Sequence, residues 1–422
     1  MDAVESIVGH IQALSNSPAE LNELTAFLKR AQKQIRSEST RLFSALPQLD
    51  PSIHSLGYLF ILDGYNSAPN TKERASEIIP IVARFVRTCS ANQIRLAPDK
   101  FIAVCRNLRD QVMLLQSPMR GVAPMLTAIR KLQSSAEHLT VLHPDFLLLC
   151  LSSKCYKSGL SILQDEIYEV DHLKDLLLYG YYGGMICIGM KHFRNALDLL
   201  HNVITAPMTN LSAIAVEAYK KYILVSLIHL GQFIPDFPKY TSSAAQKNLN
   251  SLAQPYLELA LAYGTGRLTE QEKCVQKYQE RFERDNNFGL VRQVISSTSK
   301  RNIQRLTQTY LTLSLRDIAD RVQLNSAKEA EMHVLQMIQD DEIFATINQK
   351  DGMVTFQEDP EQYKSCEMIE RIDSSIQRIM TLSKKLSTKN EELSCDRAYL
   401  SRAGKERRPD FDDYDAAPHN FM

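Results

Sequence analysis

The sequence predicts a mainly α-helical protein, in which a helical-repeat solenoid of tetratricopeptide type is followed by a winged-helix module and a C-terminal amphipathic helix. Three observations lead to this prediction. Apolar residues recur at helical spacing through the first three hundred residues, short helices and a hairpin pattern follow Asn302, and a regular aliphatic stripe begins after Glu361. We therefore divide the chain into a repeat array (1–300), a winged helix (301–358), a helix (361–395) and a tail (396–422) predicted to be disordered.

Composition excludes several classes of protein. The 422 residues are 44% hydrophobic and 23% charged, as expected of a folded chain. The 49 basic and 49 acidic residues cancel, so the net basic field typical of nucleic-acid and membrane-surface proteins is missing. Asp2 and Glu5 at the start do not fit a signal peptide, and no run of about 18 apolar residues is present. The eight cysteines lack a framework spacing, which favours reduced thiols and a location in cytoplasm and nucleus.

The repeat array begins with a clear helix-start signal. Residues 17–20 read Ser-Pro-Ala-Glu, a capping box with proline at the first helical position. Further helices are predicted at 77–89, 99–115, 122–132 and 144–155. Within 176–207, the spacing of Gly184, Ala196 and Leu200 matches the tetratricopeptide pattern loosely, and predicts two closely packed helices. Stacked helix pairs of this kind leave a long surface for partners.

The pattern changes after Asn302. A helix is predicted at 302–311, and two further capping boxes at 314–317 and 326–329 each open a helix. Two β-prone runs, 343–347 and 353–356, flank an Asp-Gly dipeptide suited to a hairpin turn. Helices followed by a hairpin is the winged-helix order. The apolar hairpin residues either close the local core or belong to an exposed strand edge used in assembly; this predicted assembly edge comprises Ile343, Phe344, Ile347, Met353, Val354 and Phe356.

The predicted C-terminal helix carries an aliphatic seam with three–four spacing. Ser383 and Asn390 interrupt it at seam positions. The stripe either folds back on its own domain or packs against a partner helix, and its regularity favours the partner. The seam consists of Ile369, Ile372, Ile376, Ile379, Leu386 and Leu393.

No catalytic or metal constellation stands out, so we predict no enzymatic activity, no cofactor and no metal. Cys150 and Cys155, with His138 and His143 upstream, are residue types that bind zinc. The two cysteines, however, lie in a leucine-rich helical run, where cysteine behaves as a small hydrophobe. The glycines at 180, 183, 184 and 189 lack the Gly-Lys-Ser/Thr ending of a phosphate loop and are better explained by close helix packing.

A winged-helix nucleic-acid adaptor is the alternative function, since a recognition helix can enter the major groove. The candidate recognition helix argues against it. Residues 326–342 contain one basic residue, Lys328, against five acidic ones, which gives a local charge of minus four and repels phosphate.

Several segments resemble the PCI-domain family, and within it the subunit-three family of the COP-nine signalosome. They read YYGGMI at 181–186, EAYKKYILVSL at 217–227, LT at 306–307, LTLSL at 311–315, EIFA at 342–345 and INQKDGMV at 347–354. The resemblance spans residues 50–365 and fades at both ends. It implies a scaffold whose winged helix and C-terminal helix contact other signalosome subunits, with cullin-RING ubiquitin ligases reached indirectly. It also implies that removal of the ubiquitin-like modifier Nedd8 from cullins is catalysed by another subunit.

Overall fold

A computed structural model describes residues 3–15, 17–68, 71–358 and 366–406. The chain divides into two compact units, with the boundary between Arg305 and Leu306. The predicted fold class is confirmed: helical repeats precede a module of short helices and strands, and a long helix follows. No helix in the described part of the chain is long and apolar enough to cross a membrane.

The first unit is an array of helices. They are α1 (Ala3–Ala13), α2 (Pro18–Arg30), α3 (Gln32–Ser37), α4 (Ser39–Ala45), a 3-10 turn (Leu46–Gln48), α5 (Ser55–Asn66), α6 (Lys72–Thr88), α7 (Ala91–Ile94), α8 (Pro98–Leu114), α9 (Met119–Leu132), α10 (Leu142–Ser152), α11 (Tyr156–Leu163), α12 (Leu173–Gly189), α13 (Phe193–Thr205), α14 (Ala213–Leu230), α15 (Ser243–Leu252), α16 (Gln254–Gly264), α17 (Leu268–Arg284) and α18 (Phe288–Thr307). Two short parallel strands, β1 (His138–Leu139) and β2 (Glu169–Val170), lie between helices.

Local signals in the sequence explain where many of these helices begin. Ser17 accepts a hydrogen bond from the backbone N–H of Glu20, and the Glu20 carboxylate accepts one from the backbone N–H of Ser17. This reciprocal pair satisfies backbone donors that the first helical turn cannot satisfy itself. Gly231 directly follows α14, and its φ of +67° is the left-handed conformation common just after helix ends.

The core of the first unit is built between neighbouring helices. One apolar cluster extends from α1 to α12, and a second extends from α12 to α18. α12 contributes to both, since Ile186 belongs to the first cluster and Leu177 to the second. Gly184 lies against Leu200 of α13, where a β-carbon would approach the leucine side chain to 2.9 Å, so the predicted close packing of these helices is confirmed. A core shared between neighbours is typical of solenoids.

The second unit contains the winged-helix module and two C-terminal helices. Its elements are β3 (Thr312–Ser314), α19 (Leu315–Val322), α20 (Ala327–Gln339), β4 (Phe344–Asn348), β5 (Met353–Gln357), α21 (Cys366–Cys395) and α22 (Arg397–Glu406). The strands form one antiparallel sheet in the order β3-β5-β4. The predicted hairpin is therefore present, and its second strand lies in the centre of the sheet. The sequence pattern missed β3.

Part of the predicted disordered tail is helical instead. α22 covers residues 397–406, and the Asp396 carboxylate caps it by accepting a hydrogen bond from the backbone N–H of Ala398 at 2.8 Å. Aspartate before a run of good helix formers is enough to start a helix. The rest of the predicted tail, 407–422, lies outside the described residues.

Candidate protein-interaction surfaces

Two of the four residues that most resembled a metal site are buried in the first unit, whereas His138 and Cys155 are half-buried. Cys150 is fully buried, and burial raises the pKa of its thiol to about 12, so the sulfur stays protonated and is a poor metal ligand. His143 is also buried, with its Nδ1 3.0 Å from the backbone nitrogen of Thr140. Within the described ranges, no group of three or more histidine, cysteine or acidic side chains is arranged to hold a metal ion.

The winged-helix module contains two capped helices, α19 and α20, which follow β3. Ser314 accepts a hydrogen bond from the backbone N–H of Asp317 at 3.0 Å, and Ser326 accepts one from that of Glu329 at 3.2 Å. The α19 residues Ile318, Ala319 and Val322 lie on one face of the helix and are buried. These caps fix the start of each helix and so position the exposed face of α20 and the hairpin that follows.

The hairpin residues predicted to form an assembly edge separate into two groups. Ile343, Val354 and Phe356 are buried, so their side chains pack within the module. Ile347 and Met353 are half-buried, and Phe344 is exposed. β4 pairs with β5 on one side, and no strand in the described part of the chain pairs with its other side. That free edge offers unpaired backbone groups for strand addition, and its role in assembly stays a prediction.

The outward face of α20 is partly apolar. Its core face is formed by Ala330, Val334 and Met337. Helical spacing in the sequence would group Leu335 with Ala330 and Val334 on one apolar face, but Leu335 is 48% exposed. Met332 is 64% exposed on the same outward face. The exposed positions of the helix are Lys328, Met332, Leu335, Gln336 and Gln339.

This face would have to enter the major groove if the module bound DNA in the usual winged-helix way. It has one cation and two large apolar side chains, and phosphate affinity requires several cations. Exposed apolar side chains instead suit contact with another protein. The sequence shows that Met332 and Leu335 are three residues apart, but not which face of α20 turns inward.

The predicted C-terminal seam lies along one face of α21, and all of it is exposed. Ile379 is 66% exposed and Leu386 is 72% exposed. In heptad terms Ile369 and Ile376 occupy a positions, and the d positions are Ile372, Ile379, Leu386 and Leu393. The alternative in which the stripe folds back on its own domain is not the arrangement seen in the described residues.

The apolar surface of α21 is wider than the seam. Met380 and Leu382 occupy the flanking e and g positions and are 61% and 40% exposed. Apolar residues at a, d, e and g make a broad face that suits burial among several helices better than in a two-stranded coil.

Comparison with known proteins agrees with this architecture. Residues 275–358 match the PCI domain, so the chain is a PCI-domain protein. Residues 18–245 match the family described as COP9 signalosome complex subunit 3, N-terminal helical repeats. COP9 signalosome complex subunit 3 of Arabidopsis thaliana is 56% identical over 100% of this chain and 99% of its own length. The subunit of the same name from Dictyostelium discoideum is 37% identical over 93% of this chain and 94% of its own.

The chain therefore belongs to the COP9 signalosome complex subunit 3 family. Membership indicates a protein that works in a complex with other subunits, which agrees with the exposed apolar faces of α20 and α21. The resemblance inferred from the sequence segments is confirmed.

Proposed function

We propose that the protein is a non-catalytic scaffold subunit of the signalosome. In this proposal it holds neighbouring subunits together while another subunit removes Nedd8 from cullin-RING ubiquitin ligases. The observation that carries the proposal is the exposed aliphatic face of α21, which nothing in the described chain covers. Burying one such side chain contributes about 1.5–3 kcal/mol, so a partner bundle has a strong driving force here.

The winged-helix module supports a second contact in the same assembly. The free edge of β4 and the outward residues Met332 and Leu335 are both open to a neighbouring subunit. We propose that this surface contacts another PCI subunit and that contact with cullin-RING ligases is indirect. A location in cytoplasm and nucleus is part of the proposal, and the free cysteines support a reducing compartment.

The test compares tagged full-length chains recovered from cells that make the other subunits. Ile372→Ser/Ile376→Ser/Ile379→Ser removes the centre of the seam. Ser374→Ala/Thr381→Ala/Thr388→Ala is the matched control, because these residues occupy f positions on the opposite face of α21. Mass spectrometry lists what each chain brings down.

The scaffold proposal expects the wild type and the control to recover other signalosome subunits and the seam variant to recover much less. Thermal unfolding of the purified variants checks that the fold is intact, since exposed positions usually change stability little. If the seam variant recovers the complex as well as the wild type does, the proposed role of α21 is wrong. Recovery of nucleic acid alone, lost at high salt, would revive the winged-helix adaptor.

A further inference from the structure

A cavity in the second half of the helical array has aromatic walls and no assigned role. Its volume is about 300 Å³, near the lower end for small-ligand sites. α13 and α14 form one side, and the segment 233–238 that follows α14 forms the other. The size suits a single side chain or a small molecule.

The phenol and phenyl rings of Tyr219, Tyr222, Phe233 and Phe237 line the cavity. The imidazole of His201 also belongs to the lining, with its ring centroid 6.1 Å from that of Tyr222. The Phe233 ring meets Tyr219 at 66° and Tyr222 at 78°, with ring centroids 6.1 and 6.3 Å apart. The walls are therefore steeply inclined to one another rather than stacked in parallel. Tyr219 is 1% exposed and forms the floor, and its hydroxyl donates a hydrogen bond to Asn250 Oδ1 at 2.7 Å.

The charges around the cavity favour a cation. Asp236 contributes a carboxylate to the lining, and among the described lining residues there is no lysine or arginine and one imidazole, that of His201. Burial raises the pKa of Tyr222, a hydrogen bond with Ser226 opposes this, and the nearby carboxylate of Asp198, outside the lining, adds a smaller rise. Aromatic faces carry negative charge density and attract cations directly.

A methylated ammonium group fits this chemistry better than a bare one. An unmodified lysine brings three N–H donors that need acceptors once they leave water, and an aromatic wall offers few. A trimethylated group has no donors and spreads its charge over methyl groups that pack against rings. The rim adds apolar surface for a flanking polypeptide, since Ile234 is 63% exposed.

We propose that this aromatic cavity binds a methylated lysine side chain of a protein partner. The rings of Tyr222 and Phe233 provide the cation–π walls, and Asp236 provides the charge complement at the rim. This site lies in the first unit and is independent of the assembly surfaces of α20 and α21.

The test titrates the full chain with a short fluorescent peptide that carries one trimethyllysine. Two comparison peptides carry unmodified lysine and the neutral isostere in which carbon replaces the quaternary nitrogen. The proposal expects trimethyllysine to bind about tenfold more tightly than the isostere, because shape is matched and only the charge differs. Equal binding of the two would reduce the cavity to an apolar pocket and overturn the proposal.

Variants locate the binding in the cavity. Tyr222→Leu and Phe233→Leu keep apolar volume but remove a ring face, and each is expected to weaken the peptide about tenfold. Tyr240→Leu is the control, because Tyr240 is 70% exposed just beyond the lining segment. Asp236→Asn, at an exposed position, tests the charge without disturbing the core. The proposal is contradicted if Tyr222→Leu, Phe233→Leu and Asp236→Asn all bind the peptide with wild-type affinity. It is also contradicted if the protein binds free choline, a small quaternary ammonium compound, but not the trimethyllysine peptide.

Discussion

At the scale of single residues, the first unit contains a buried ion pair that joins distant parts of the chain. Lys220 is 4% exposed, and its Nζ lies 2.8 Å from Asp285 Oδ2 and 2.6 Å from Glu217 Oε1. Burial by itself raises the pKa of Asp285, but hydrogen bonds from Lys220 and Tyr256 outweigh it, so the pKa lies below its usual value. The carboxylate is therefore ionised in the folded protein and depends on Lys220.

Lys220→Met is expected to destabilise the protein by about 3 kcal/mol, because it leaves the Asp285 carboxylate buried without its main partner. Urea unfolding of the purified chain measures the change. Lys277→Met is the control, since Lys277 pairs with Glu258 on the surface. This substitution should lower the free energy of unfolding much less. Adding Asp285→Asn to Lys220→Met should recover part of the loss; no recovery would mean that packing around Lys220, not the stranded charge, carries the effect.

His143 makes the stability depend on pH. Burial lowers its pKa to about 4, with a smaller lowering from His138 and an opposing contribution from the Thr140 backbone. The unfolded chain takes up this proton near 6.5, before the folded chain does, so stability falls as the pH drops from about 6.5 towards 4. Between pH 7 and pH 5 we expect this histidine alone to lower the free energy of unfolding by about 2 kcal/mol.

Urea unfolding at the two pH values checks the prediction. His143→Gln should flatten this part of the pH dependence, whereas His10→Gln, on an exposed helix face, should leave it in place. An unchanged slope in His143→Gln would assign the effect to other groups.

These residue-scale features show the limit of sequence reasoning. The repeat spacing of Gly184, Ala196 and Leu200 predicted two closely packed helices, and the structure adds that Gly184 lies against Leu200. Lys220 and Asp285 are 65 residues apart, and no local pattern relates them. In the sequence Lys220 stands out only as part of the segment at 217–227, and its burial follows from how whole helices pack.

At the scale of elements, small residues in α12 set how closely α13 can approach. A β-carbon on Gly180 would lie 2.6 Å from a Val203 methyl carbon and 3.1 Å from the Leu199 carbonyl oxygen. The valine is buried and the carbonyl belongs to the backbone, so neither can move easily. The contact requires glycine because of space and not because of backbone conformation.

Gly180→Ala is therefore expected to destabilise the protein by about 1–3 kcal/mol through overpacking. Gly289→Ala is the matched control, because Gly289 is also helical and a β-carbon there meets nothing within 4 Å. The control should stabilise by up to about 1 kcal/mol through helix propensity. Thermal unfolding should show a lower unfolding temperature for Gly180→Ala and an equal or higher one for Gly289→Ala. An unchanged unfolding temperature in Gly180→Ala would mean that α12 and α13 can separate without cost.

Elements with local signals were predictable, and those defined by distant pairing were not. Ser17, Ser314 and Ser326 each cap a helix through the side-chain oxygen, and at Ser17 the reciprocal bond to Glu20 completes the predicted box. β3 has three residues, and it exists because Leu313 pairs with Val354 across the module. The three–four spacing of the α21 seam was visible in the sequence, whereas the exposure of Leu335 depends on which face α20 turns inward.

At the scale of the whole molecule, two separate surfaces of the second unit are open to partners. The outward face of α20 carries Met332 and Leu335, and α21 carries the seam. Linked contacts strengthen one another, because engaging one surface raises the effective concentration of the other. Losing one should weaken assembly, and losing both should abolish it.

Met332→Ser/Leu335→Ser tests the first surface alone and, combined with the seam variant, tests both. Gln336→Ser/Gln339→Ser is the control, because these residues share the exposed face but are polar. Competition against the wild-type chain for assembly with the other subunits measures each loss as a free energy. We expect the two losses to add within about 0.5 kcal/mol, since the substituted residues lie on different helices and make separate contacts. If the α20 variant alone competes like the wild type, the outward face of α20 takes no part in assembly and α21 is the main contact.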